Sequence, residues 1–258
     1  MDNIFGYPEF DRSGKKILTR TEGPFADTMM NITSYRMEKG ESISLYSDSE
    51  ESAALLIQGD VVFTWPDGSA LASRENFLEQ GAFCLHVAKG VKATVTAISQ
   101  SEVLVQKTEN DKEFECKLYT PQNCVEETFG QSQFDGKAQR TVRTFFDYHT
   151  APYSNMVMGE IIVPQGGWSS YPPHQHPQPE VYYYRFHKPQ GFGACFIGDE
   201  VRKIKDGSFC AVPGGLTHPQ VNAPGYPMYY VWMIRHFDGN PWTDRIFDPE
   251  HAWLLQEP

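Results

Sequence analysis

Three imidazoles and one carboxylate stand at spacings that suit a single metal site. His174, His176 and Glu180 lie in His174-Gln-His176-Pro-Gln-Pro-Glu180, and His218 lies in Gly207-Ser-Phe-Cys-Ala-Val-Pro213-Gly-Gly215-Leu-Thr-His218-Pro-Gln-Val-Asn222. On an extended segment, residues two apart leave the same face, so His174 and His176 project together and Glu180 can re-enter that face after the proline-bent turn. His218 then closes the set from another strand. Imidazole suits Zn, Fe, Ni and Cu, and a carboxylate widens the choice towards Mn. The set therefore predicts a divalent metal ion (Zn, Mn or Fe) without selecting among them.

Such a site needs strands to hold it, and the rest of the chain supplies them. Of the 258 residues 40% are apolar, enough for a sizeable core, and 21 glycines and 18 prolines are spread along the length, as many short strands joined by turns require. Strand patterns occur at 42–46, 53–57, 61–65, 83–87, 93–98 and 103–106, with turn signals at Gln58-Gly59-Asp60 and Pro66-Asp67-Gly68. Residues 107–139 are polar and read as a crossover, after which strands resume at 140–146, 156–163, 168–171, 181–186, 192–197, 209–212 and 228–233. Helix is expected only over 74–80 and in a turn beginning at Asp248-Pro249. The fold class is all-β with little helix.

Charge and cysteine usage exclude several functions. A net charge of −11 with no clustered Lys and Arg argues against nucleic acid, although a metal and one or two local cations still allow an anionic substrate. Cys84, Cys116, Cys124, Cys195 and Cys210 are odd in number and show no Cys-x-x-Cys spacing, so they read as reduced thiols, with Cys210 a core residue of the second motif. No basic stretch followed by an apolar run opens the chain and no apolar run nears eighteen residues, so a cytoplasmic protein with no membrane partner is expected.

The two segments that carry the candidate ligands resemble the two motifs of the cupin superfamily. The second matches Gly, five residues, Pro, one, Gly, two, His, three, Asn at every named position, and the first keeps His-x-His followed by Glu after three residues. This resemblance implies a bicupin, two tandem cupin (double-stranded β-helix or jelly-roll) barrels, with a degenerate barrel over 1–125 and a metal-binding barrel over 126–258. In the first half, Gly81-Ala-Phe-Cys-Leu-His86 stands where a second motif would lie, yet Val87 replaces its Pro and Lys92 its His, so that half is expected to be structural and His86 a core or surface histidine.

More specific phrases resemble the 5-deoxy-glucuronate isomerase family of myo-inositol breakdown. They are Arg140-Thr-Val-Arg143-Thr, Gly167-Trp-Ser-Ser-Tyr-Pro-Pro-His174, Glu180-Val-Tyr-Tyr-Tyr-Arg185-Phe, Gln190-Gly-Phe, Ala223-Pro-Gly-Tyr226 followed by Tyr229-Tyr230, and Asp248-Pro-Glu-His251-Ala-Trp253. The resemblance implies a metal-dependent aldose–ketose isomerase that converts 5-deoxy-glucuronate, a small acid sugar, to 5-dehydro-2-deoxygluconate.

Within that chemistry Glu180 is a ligand, and a candidate base if it leaves the metal. Tyr182 and Tyr184 share its face of an extended strand, so either could donate to a developing oxyanion. A carboxylate substrate needs a cation, for which Arg185, Arg143 and Lys188 are the candidates; Arg185 alternates to the opposite face and reaches the pocket only through a bulge. His187, His236 and His251 have no metal spacing and are expected on the surface or in packing. Two other readings stay open: an Fe-dependent cupin dioxygenase on the same ligands, and a non-enzymatic sugar-binding cupin. Exposed strand edges allow a homodimer.

Overall fold

The computed structural model describes residues 4–256, so the first three residues of the expected N-terminal half and the last two of the C-terminal half lie outside the described residues. The described chain is built of strands, as expected, and its helical turns are three short 3-10 stretches, Gly23–Thr28, Gln133–Gly136 and Pro249–Gln256. Among the described residues no helix is long and apolar enough to cross a membrane.

The chain divides into two compact units, one of residues 8–124 and 150–156, the other of residues 4–7, 125–149 and 157–256. Relative to a single cut at 125/126, two short segments change sides, each for a visible reason. Phe5–Gly6 is a strand that pairs antiparallel with Phe209–Val212, Phe5 opposite Cys210, which draws the start of the chain into the C-terminal unit. Segment 150–156 is held by Glu51. This fully buried carboxylate accepts hydrogen bonds from the Asn155 amide at 2.6 Å, the Ser154 hydroxyl at 2.9 Å and the Asn110 side-chain amide at 3.1 Å, and meets His86 Nε2 at 2.8 Å. His86 is thus a core histidine with a carboxylate partner.

In the N-terminal unit the strands expected at 53–57 and 61–65 are one strand, Glu50–Trp65. The Gln58-Gly59-Asp60 signal marks a bulge instead of a turn: the register slips between Leu56 and Gln58, and Gly59 adopts a φ of +106° that a side chain would oppose. The bend lets one strand pair with Cys84–Val87 and Ser101–Glu109 along its first half, and with Gly68–Arg74 and Thr94–Ala97 along its second. Pro66-Asp67 is the expected tight turn, with Trp65 opposite Gly68. The helix expected over 74–80 does not form. Arg74 is completely buried, and its guanidinium donates to the carbonyls of Leu56, Phe77 and Gln80, so the loop coils around it.

In the C-terminal unit, one sheet runs in the spatial order Phe5–Gly6, Phe209–Val212, Glu180–Phe186, Met228–Arg235, Met156–Val163, Arg140–Phe146, Val125–Phe129. A second runs Trp168–Ser169, Gln220–Asn222, Phe192–Ile197, Glu200–Lys205. Tyr184 and Phe186 from the first sheet share a core with Cys195 and Ile197 from the second. The expected crossover 107–139 contains the strands Lys117–Tyr119 and Val125–Phe129. Val125–Phe129 is exposed along its whole length, so it lacks the apolar alternation by which strands are recognised.

The Glu51 cluster yields a stability prediction. Glu51→Ala removes the acceptor of several buried hydrogen bonds at once, and should cost about 3–5 kcal/mol in urea unfolding; a loss below about 1 kcal/mol would show that the cluster does not hold segment 150–156.

Candidate metal centre

Each histidine is oriented by its own backbone. The Nδ1 atoms of His174, His176 and His218 meet the carbonyls of Pro172, Gln178 and Leu216, each at 2.9 Å. A carbonyl only accepts, so Nδ1 carries the proton and Nε2 keeps its lone pair. That tautomer is the one a metal ligand needs.

The freed nitrogens converge on one carboxylate oxygen. Glu180 Oε2 lies 3.2 Å from His176 Nε2 and 3.3 Å from His218 Nε2, and the ligand atoms of these three buried residues all lie within 4.8 Å of one another. His174 stands beside them, its ring 5.1 Å from that of His218 and perpendicular to it. His218 Nε2 is fully buried without a hydrogen bond. An unpartnered buried acceptor beside two similar nitrogens and a carboxylate fits a divalent cation, which would satisfy them all. Among the described residues this is the one group of three or more His, Cys, Asp and Glu side chains placed to hold a metal.

Burial keeps His174 and His218 neutral. It pushes His174 down to about 2, helped by the neighbouring His218, Arg245 and His176, and it pushes His218 down as well, against the attraction of Glu180. Neutral imidazoles are ready ligands at physiological pH.

Three backbone devices bring the ligands together. His174–Gln175 forms a short strand with Ile246–Phe247, His174 opposite Phe247. Glu180 begins the Glu180–Phe186 strand, clamped between Val212 on one side and Ile234 on the other. The His218 loop docks on the His176 loop: the Gly215 amide donates to the His176 carbonyl at 2.8 Å, and Gly214 packs so closely that a β-carbon there would stand 1.7 Å from the Pro177 carbonyl oxygen. Gly214 is thus needed for close approach of the two loops, and the motif glycine Gly215 for its φ of +84°.

Glu180 and Tyr182 share a face, as strand alternation requires. The Tyr182 hydroxyl donates to Glu180 Oε2 at 2.9 Å, and burial together with the Glu180 charge pushes its pKa well up, so it stays protonated. Because that single proton is spent on Glu180, Ser170, whose hydroxyl lies 3.2 Å away, is the donor to Tyr182. Tyr184, expected on the same face, does not reach the site. Two residues further along the strand means about 7 Å of additional rise, and its ring sits in the core near Cys195 and Cys210.

The ligands open into a cavity of about 270 Å³, bordered by His174, His176, Glu180 and Tyr182. Its cations are Arg140 and Arg245, which the sequence reading passed over. Arg143 and Arg185 lie elsewhere. Arg143 forms ion pairs with Glu126 at 2.5 Å and Glu160 at 2.8 Å, and Arg185 with Asp206 at 2.8 Å, on the face of its strand opposite Glu180. Lys188 is exposed beyond the end of that strand. Alternation explains the exchange: Arg140, Val142 and Thr144 all border the cavity, so Arg143 must face away. Counting by twos along Arg140–Phe146 from either residue would have separated them. Arg245 comes from a loop with no such signal.

The sequence matches the KduI/IolB family over residues 7–254. Curated relatives called 5-deoxy-glucuronate isomerase include those of Geobacillus thermodenitrificans, 24% identical over 243 residues covering 86% of this chain and 85% of the relative, and of Bacillus subtilis strain 168, 24% identical over 241 residues covering 85% of each. Among solved structures, an IolB-like protein from Salmonella typhimurium superposes with a TM-score of 0.87 at 23% identity, covering 98% of this chain and 99% of that one. Oxalate decarboxylase of Lactobacillus farciminis superposes at 0.69 and 14% identity, covering 100% of this chain and 91% of its own. These likenesses place the chain in the all-β cupin fold.

The loop contact can be tested directly. Gly214→Ala should separate the His176 and His218 loops and weaken Zn or Mn binding at least about tenfold by titration calorimetry, with global unfolding shifted far less. Unchanged affinity would mean that the contact does not set the ligand geometry.

Proposed function

The chain belongs to the KduI/IolB family, and from that premise we propose that it is a metal-dependent aldose–ketose isomerase converting 5-deoxy-glucuronate to 5-dehydro-2-deoxygluconate in the cytoplasm. The observation that carries the reading is the convergence of His176 and His218 on Glu180 Oε2, beside a cavity bordered also by a protonated tyrosine and by guanidinium groups without a carboxylate partner. His174, His176, Glu180 and His218 are the residues that would hold the ion, a donor set that suits Zn, Mn or Fe. When bound, a divalent ion supplies Lewis acidity to a sugar carbonyl and the hydroxyl beside it.

The chain's own residues do the rest. Gln220 donates to Ser170 at 3.4 Å, Ser170 to Tyr182, and Tyr182 to Glu180 Oε2, so a directed relay holds the phenolic proton at the ligand cluster. A sugar oxygen that gains negative charge beside Glu180 finds that donor already oriented, which lowers the cost of charge development. Trp232 and Trp242, with ring centroids 5.6 Å apart, border the cavity with apolar surface and limit the water that reaches it. Aldose and ketose are isomers, so no external oxidant is consumed.

Metal-loaded protein incubated under nitrogen with 5-deoxy-glucuronate should form the ketose, lose activity to a chelator, and regain it with a divalent ion. His218→Ala should fold and lose more than about 100-fold in kcat/KM. Tyr182→Phe should retain metal and lose about 100-fold in kcat. A strict requirement for oxygen, or full turnover by His218→Ala, would overturn the assignment.

A further inference from the structure

We propose that Arg140 and Arg245 form an anion-binding end of the metal cavity that holds the carboxylate of the sugar, so that they decide between acid and neutral sugars. This rests on the isomerase reading for which sugar is turned over, but the binding of a carboxylate does not depend on the reaction.

Arg140 is 8% exposed, yet it is committed to little. Its guanidinium has five N–H donors, and its one hydrogen bond within the described structure runs from Nη1 to the Ala138 carbonyl at 2.8 Å. The Phe129 ring lies 5.7 Å from the guanidinium carbon and takes no N–H as a carboxylate would. Among the described residues no carboxylate forms an ion pair with Arg140 or Arg245. A buried guanidinium without a counter-ion is costly, because its hydration is lost and not replaced. Burial pushes the Arg140 pKa down, against the neighbouring Tyr230 hydroxyl, and the charge of Arg245 pushes it down further, as two cations that feel each other must. Such a pair is relieved by one anion between them.

The remaining charges point to the same conclusion. Arg143 and Arg185 are each neutralised by acidic neighbours outside the cavity, so they have no charge to offer a ligand. Glu127 and Asp244 also border the cavity, but both are exposed, and Asp244 accepts from the backbone amide of Arg245 and not from its guanidinium. Arg140 and Arg245 thus leave guanidinium donors unspent in a space shared with the His and Glu cluster. A six-carbon acid sugar carries its carboxylate and its aldehyde at opposite ends, which matches a cavity with cations for one and a metal cluster for the other.

The test uses metal-loaded protein, with D-glucuronate and D-glucose as binding probes and 5-deoxy-glucuronate as substrate. Titration calorimetry should show glucuronate binding that Arg140→Gln weakens at least about 30-fold, with glucose affinity and bound metal unchanged. In turnover, Arg140→Gln should raise KM by a similar factor while kcat changes less, and Arg140→Lys should recover part of the loss. Arg245→Gln, at an exposed position where folding is safe, should weaken glucuronate selectively as well. Equal loss of glucose and glucuronate, or unchanged glucuronate affinity in Arg140→Gln and Arg245→Gln, would overturn the proposal. If the wild type binds glucuronate through these arginines but turns over no 5-deoxy-glucuronate, the carboxylate site stands and the isomerase reading falls.

Discussion

The site depends on three hydrogen bonds, one from each histidine to a carbonyl two residues away. Pro172, Gln178 and Leu216 fix the tautomer and the ring direction of His174, His176 and His218, so the lone pairs are aimed before any ligand arrives. Each bond alone contributes modestly. Together they remove the rotational freedom that would otherwise have to be frozen on binding, and they do so with backbone atoms that the loop geometry already holds.

Those loops in turn rest on the sheet. Glu180 is paired on both sides by neighbouring strands, which fixes its backbone and makes it the natural centre of the cluster. The same two-residue period that puts Tyr182 beside it sends Tyr184 deeper into the core and Arg185 to the far face. On the adjacent wall it selects Arg140 over Arg143. One elementary rule of strand geometry therefore sorts the polar residues of the C-terminal unit into those that meet the cavity and those that brace it.

The motifs made the clustering of His176, Glu180 and His218 readable from the residues alone, because a shared site demands particular side chains at particular intervals. The all-β class was equally accessible: short apolar or alternating runs between turn signals marked strands such as Arg140–Phe146, Phe192–Ile197 and Phe209–Val212 at their observed bounds. What escaped was set by tertiary partners. The Gln58-Gly59-Asp60 signal suits a turn or a bulge equally, and only the paired strands decide. The polar Val125–Phe129 strand carries no apolar period, and Arg74 gave no local hint that a buried guanidinium would organise its loop. The cations of the cavity were missed for a related reason. Arg143 and Arg185 stood out as charges in family-like phrases, but a charge is available only if its neighbours leave it so, and Glu126, Glu160 and Asp206 are remote in sequence.

The pairing of Phe5–Gly6 with Phe209–Val212 reaches further than the few residues involved. Phe209–Val212 pairs with Glu180–Phe186 on its other side and leads into the loop that carries His218, so Phe5–Gly6 covers what would be an open edge of the sheet that holds Glu180. Unpairing Phe5–Gly6 would consequently free the edge of Phe209–Val212 for another strand, one strand away from Glu180.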